Sequence, residues 1–155
     1  MRTMQSLRCA ALVGALALAV VHPPSAVAET LITEKEAALP QAPETGMATR
    51  GLTRGPGIVL LEPAAGARNL KSPLPLKIRF IGHNNVAIDP ASVRLTYLRV
   101  PSVDLTERVK NHLTKDGIDM AQADVPPGNH LIRVDVRDAE GRMGSATILL
   151  SVAPK

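Results

Sequence analysis

Three histidines beyond residue 28, at positions 83, 112 and 130, and three methionines, at 47, 120 and 143, carry the atoms a soft metal such as copper would take. No two of them stand at ligand spacing, so core or surface filling is the expected role of Met47, Met120 and Met143. Asp135, Asp138 and Glu140 bracket one turn and could offer oxygen ligands to calcium. Arg133, Arg137 and Arg142 crowd the same place, and neutralisation by arginine with ordinary turn formation accounts for the acids. A serine hydrolase needs a nucleophile on a recognisable elbow, and the chain holds no G-x-S-x-G. The single cysteine, Cys9, falls in an apolar leader, which leaves the rest of the chain without a thiolate. His83 falls in a turn, His112 on a short helix and His130 at the start of a strand, with nothing in the spacing to unite them. His130 is expected to be structural, packing over a loop, and Asp104 to cap a helix. The expectation is a non-enzyme, with no catalytic, cofactor-binding or metal-ligating residue assigned.

The elements that would have to position such groups are strands. In Asp124 to Ala153, Ile132, Val134 and Val136 alternate with Leu131, Arg133, Asp135 and Arg137, and Ala146, Ile148, Leu150 and Val152 repeat the pattern. Asp138-Ala139-Glu140-Gly141 between them supplies a turn in which Gly141 takes a positive φ, so a hairpin is predicted. Upstream, Gly57 to Glu62 is a first strand. Leu74, Leu76, Ile78 and Phe80 point inward in a second, with Phe80 the largest core side chain. Asn84 or Asn85 then takes the left-handed turn position, and Asp89-Pro90 favours a further turn. Val93, Leu95 and Tyr97 share one face of a third long strand, and Ile118 to Ala123 supplies another. Between them Asp104, with Glu107 three residues on, opens a short helix carrying Leu105, Val109, His112 and Leu113 on one face. About six to seven strands with one inserted helix predict an all-β fold, a single β-sandwich over residues 57–155. Its outer positions, Lys77, Arg79, Arg94, Thr96, Arg133, Asp135, Arg137 and Thr147, read as a solubilising charged surface.

Residues 1–28 read as a secretory signal peptide. Arg2 and Arg8 precede an apolar stretch from Cys9 to Val21, and Ala26-Val27-Ala28 offers a cleavage site before Glu29. The stretch of roughly 13 residues is shorter than the ~20 that span a bilayer. Cleavage after Ala28 is expected, with no stable membrane insertion afterwards and a periplasmic or secreted address. Residues 29–56 read as a flexible N-terminal arm. Within it Thr33 and Glu36 form the pattern of a capping box, closed by Pro40. Leu31, Ile32, Ala37, Ala38 and Leu39 form an apolar stripe without a core of its own, a candidate for ordering on a partner. The formal charge of +4 falls to about +2 with the leader gone. One Phe and one Tyr give no platform for stacking bases, which argues against nucleic acid.

The order GIVLLEPAAGARNLKSPLPLKIRF, DPASVRLTY and DVPPGNHLIRVDVRDAEGRMGS resembles the immunoglobulin-like and fibronectin-like modules of exported bacterial proteins. It is similar, too, to small proteobacterial periplasmic proteins built from one such module, whose middle loop carries a segment like Asp104 to Val109. The resemblance implies an immunoglobulin-like sandwich and says little of function, since that architecture hosts adhesion, accessory and structural roles alike. The paired cysteines and tryptophan of antibody domains are missing. Together these readings lead to the expectation of an exported binding or accessory module whose partner is another envelope protein. The alternative is a periplasmic copper carrier, a family that also uses a small immunoglobulin-like sandwich with His and Met ligands. Glu29-Thr30 lacks the histidine that family presents at its processed start.

Overall fold

The structure, a computed structural model, describes residues 27–43 and 55–154. Among them the alternating segments pair into nine strands: β1 (Glu29–Thr30), β2 (Gly57–Glu62), β3 (Leu74–Ile81), β4 (Ile88–Tyr97), β5 (Val103–Asp104), β6 (Leu113–Thr114), β7 (Gly117–Asp124), β8 (Gly128–Asp138) and β9 (Met143–Val152). Two helical turns, α1 (Glu34–Ala37) and α2 (Thr106–Val109), lie outside the sheets. One sheet runs β1-β7-β3-β2 with β6 also on β7, and the other runs β5-β4-β8-β9. The chain is an all-β sandwich, as its alternation predicts.

The inward faces meet in one core. Leu74, Leu76, Ile78 and Phe80 of β3 and Ile118 and Met120 of β7 face Val93, Leu95 and Tyr97 of β4, Ile132, Val134 and Val136 of β8, and Ile148 and Leu150 of β9. The residues expected on the inner face are buried, save Ala146, which is half-buried, and Phe80 is not the largest of them. Tyr97, at 0% exposed, lies deeper than Phe80 at 5%. The hairpin is continuous from Gly128↔Val152 to Arg137↔Met143, with Gly141 at φ 79 in its turn, and Asn84 and Asn85 both take positive φ in theirs.

Two local expectations are corrected. Asp89-Pro90 does not break the chain but lies inside β4, where the pairing with β8 shifts between Asp89 and Arg94. The turn chemistry is spent on this bulge: Asp89 Oδ1 accepts from Ala91 N, and Ser92 Oγ donates to Asp89 O. The middle helix starts at Thr106, two residues after Asp104, whose carboxylate accepts from Thr106 N at 2.8 Å. Glu107 does not close a capping box there and pairs with Lys110 at the surface instead. Leu105 and Val109 are nevertheless fully buried, as the helical spacing predicts.

The largest correction concerns the arm. Residues 44–54 of it lie outside the described residues, but its first part is built into the domain. β1 pairs in parallel with β7 through Glu29↔Ala123 and Thr30↔Asp124. Leu31 and Ile32 then enter the core at 0% and 1% exposure. Leu31 and Ile32 thus have a core after all, with Ala37 packed at its margin and Ala38 exposed, because the edge of β7 offers unpaired backbone groups beside an apolar cleft. The capping box forms as predicted, Thr33 N to Glu36 Oε2 at 2.9 Å and Glu36 N to Thr33 Oγ1 at 3.3 Å. Further on, Gln41 bridges Arg99 and Val100 N donates to Pro40 O, so this strap reaches from one sheet to the other.

Candidate functional site

The polar groups concentrate beneath the strap, at the end of the sandwich where β4 stops and β8 starts. Alternation turns Tyr97 and His130 inward on neighbouring strands, and both are buried. Pro126 O accepts from His130 Nε2 at 2.8 Å, and a carbonyl has no proton to give, so Nε2 carries the hydrogen. Nδ1 is then the acceptor, and the Tyr97 hydroxyl 2.7 Å away donates to it. The same hydroxyl oxygen accepts from Arg99 Nε at 2.8 Å. Arg99 also donates to Leu39 O at 3.0 Å and to Asn129 O at 3.2 Å. The chain of bonds therefore has a single direction, from Arg99 through Tyr97 and His130 to Pro126.

Burial disfavours the imidazolium, the bond to Pro126 O partly offsets this, and the nearby Arg99 charge adds to it, so His130 titrates below its ordinary value. Burial likewise raises Tyr97, against the opposing pull of Arg99. Both shifts favour the neutral forms of the two side chains. Both ring nitrogens of His130 are occupied, and this geometry makes it a tie between strap, loop and sheet.

A second polar contact lies on the strap's helical turn. Arg108 on α2 grips Glu36 through Nη1 at 2.8 Å and Nη2 at 2.6 Å, and Nη1 also donates to Leu31 O. The guanidinium bonds pull the Glu36 carboxyl down to about 2, against the effect of burial and with help from Thr33. At the start of the strap, His112 Nε2 meets Glu29 Oε2 at 2.7 Å. None of these pairs has a sequence signature, since their partners stand 72 and 83 residues apart.

The acids of the final hairpin separate by strand alternation. Asp135 faces outward to Arg133 and Ser145. Asp138 faces inward and is buried, and it accepts from Glu140 N, Arg142 N and Arg142 Nε. Burial alone would raise the Asp138 carboxyl, but the side-chain and backbone bonds from Arg142 and the bond from Glu140 N outweigh it and hold it low. Asp138 and Asp135 therefore do not share a calcium cage. Of the soft-metal candidates, Met120 fills the core at 1% exposure, His112 and His130 are bonded as described, Met47 lies outside the described residues, and His83 and Met143 are exposed. Among the described residues no cluster of three His, Cys, Asp or Glu side chains is placed to hold a metal ion.

The outer face of the β4-β8-β9 sheet offers a further surface. A shallow depression of about 530 Å³ there is bordered by Asp89, Arg94, Arg133, Asp135, Arg137 and Met143. At the strap end the same face is apolar, a feature the sequence reading missed. Leu131 pairs with Leu149, and Leu98 N donates to Leu131 O, so three leucines form one row across three strands. The signal was present in the chain as the second residue of Tyr97-Leu98, His130-Leu131 and Ile148-Leu149, but only register brings the three together. No protein-family model matches the chain, and neither the characterised proteins nor the solved structures compared with it include a match.

Proposed function

We propose that this chain is an exported, non-enzymatic binding or accessory module, immunoglobulin-like in architecture, that works on another protein of the cell envelope. The observation that carries the export reading is the position of β1. It begins at Glu29, the first residue after Ala26-Val27-Ala28, and Glu29 is at once engaged with Ala123 and His112. Among the described residues the first strand starts where a signal peptidase would cut, the arrangement expected of a processed product. No described helix is long and apolar enough to cross a membrane. The binding reading is supported by the use already made of the polar side chains: Tyr97, His130, Arg108, Glu36 and Asp138 are consumed in bonds that hold the fold.

The copper-carrier alternative draws on the same histidines and methionines. It is the weaker reading, because Met120 is core and both nitrogens of His130 are bonded. The test is fractionation of a bacterium expressing the full chain, with the mass of the product and cross-linked capture of its envelope partners. A product beginning at Glu29 in the envelope or medium, with a reproducible protein partner, is expected. An unprocessed cytoplasmic product would remove export, and stoichiometric copper without a protein partner would favour the carrier.

A further inference from the structure

The solvent side of a half-exposed sheet normally carries polar residues, since one face of an antiparallel sheet packs on the core and the other meets water. The β4-β8-β9 face departs from this at Met143 and, over a whole row, at its strap end. Leu98, Leu131 and Leu149 point outward side by side, Leu149 being 50% exposed. Val100, just past the end of β4, is 51% exposed. Beside Leu149 the row opens into a depression of about 270 Å³ bordered by Gly66, Ala67, Arg68, Asn129 and Ser151. An aliphatic strip leading into a recess is the form of an anchor site, apolar at its centre and polar at its rim.

The rim carries more free base than free acid: Asp104, which shares the next row with Thr96 and Arg133, has its carboxylate on Thr106 N. Arg68 is exposed and pairs with no carboxylate among the described residues. Arg133, one row along on β8, uses its Nε on Asp135 and Ser145, and its terminal nitrogens make no bond among the described residues. Asp135, the first acid along the strand, is already held by Arg133 and Ser145. An acidic partner would find guanidinium groups with unused donors beside the leucines.

We propose that the row Leu98–Leu131–Leu149 docks an acidic amphipathic segment of another protein, with aliphatic side chains over the leucines and carboxylates at Arg68 and Arg133. This rests on the binding-module reading and names the chemistry of its partner. It also places recognition on the sheet face and not on the strap, whose Leu31 and Ile32 are spent in the core.

The test is an NMR titration of the ¹⁵N-labelled processed chain with a synthetic peptide of alternating leucine and glutamate, and with its leucine and lysine counterpart. Shifts confined to the amides around Leu98, Leu131, Leu149 and Arg68 are expected with the acidic peptide, weakening as salt is raised. Leu149→Glu should weaken binding by about tenfold or more, and Arg68→Ala should weaken it less, each with an unchanged melting temperature. Equal binding of the lysine peptide, shifts on the β2-β3-β7 face, or a dimer of the chain that Leu149→Glu dissolves would each overturn the proposal. An envelope partner captured as well by Leu149→Glu as by the unaltered chain would remove this face and leave the module standing. Capture of no partner by either would remove the module reading itself.

Discussion

The Tyr97 hydroxyl donates to His130 Nδ1 across 2.7 Å of buried space, and this bond sets the protonation state of the imidazole. Were Nδ1 to gain a proton, the Tyr97 oxygen would face two donors, Nδ1 and Arg99 Nε, with no acceptor for its own hydrogen. The clasp that ties Leu39 to the sandwich is therefore built for neutral histidine.

This geometry predicts an acid-sensitive strap. His130 has a lowered pKa in the folded chain against 6.5 unfolded. Its contribution is fully present above pH 6.5 and declines as pH falls below it, because the unfolded chain takes the proton first. Denaturant midpoints measured downward from pH 7 should fall in this window. His130→Gln should flatten the slope there, and a slope unchanged by that substitution would contradict the assignment. Tyr97→Phe, which leaves Arg99 Nε and His130 Nδ1 without their partner, should cost about 1–3 kcal/mol at neutral pH.

A second window belongs to Glu36. Its carboxyl is depressed from 4.5 to about 2 by Arg108, so the stability it confers is present above pH 4.5 and is lost as pH falls toward 2. Glu36→Gln should remove that part of the acid transition and cost about 1–2 kcal/mol at pH 7, a discounted figure for a pair partly open to water. Amide exchange at Leu31 and Ala37 should quicken in this variant. Unchanged exchange would mean that the pair holds nothing in place.

Core burial of the strap predicts that it stabilises the domain. Leu31→Ala should cost ~2–5 kcal/mol, comparable to a truncation in the middle of the sandwich and to Phe80→Ala at ~3–5 kcal/mol. A chain begun at Gly55 should be markedly less stable than one begun at Glu29, read as a lower urea midpoint. Equal midpoints would return residues 29–43 to the status of a spacer.

Among the described glycines, Gly117 combines a positive φ with a close backbone approach. Its φ is 150, and a Cβ built on it would lie 1.9 Å from Ile78 O of the neighbouring strand. The atom in the way belongs to backbone and cannot swing aside. Gly117→Ala should cost about 3 kcal/mol or more, from strain and overpacking together. A thermal melt within a degree or two of the unaltered chain would contradict this close approach.

How much of this was legible in the chain depends on the range of the interaction. Period-two alternation is a local property, so the inward sets of β3, β4, β8 and β9, the hairpin turn at Gly141 and the Thr33–Glu36 capping box could all be read from neighbouring residues. The two-sheet sandwich follows, since such strands cannot bury their faces alone. The destination of a short segment was not legible. Leu31 and Ile32 have no period of their own, and whether they meet water, a partner or this core depends on a free β7 edge far along the chain. The Arg99–Tyr97–His130 clasp, joining residues up to 60 apart to the strap, and the leucine row are likewise products of register. Tertiary structure alone decided these, because a hydrogen bond or a cross-strand row depends on which backbone positions come to lie opposite one another, and no local pattern carries that information.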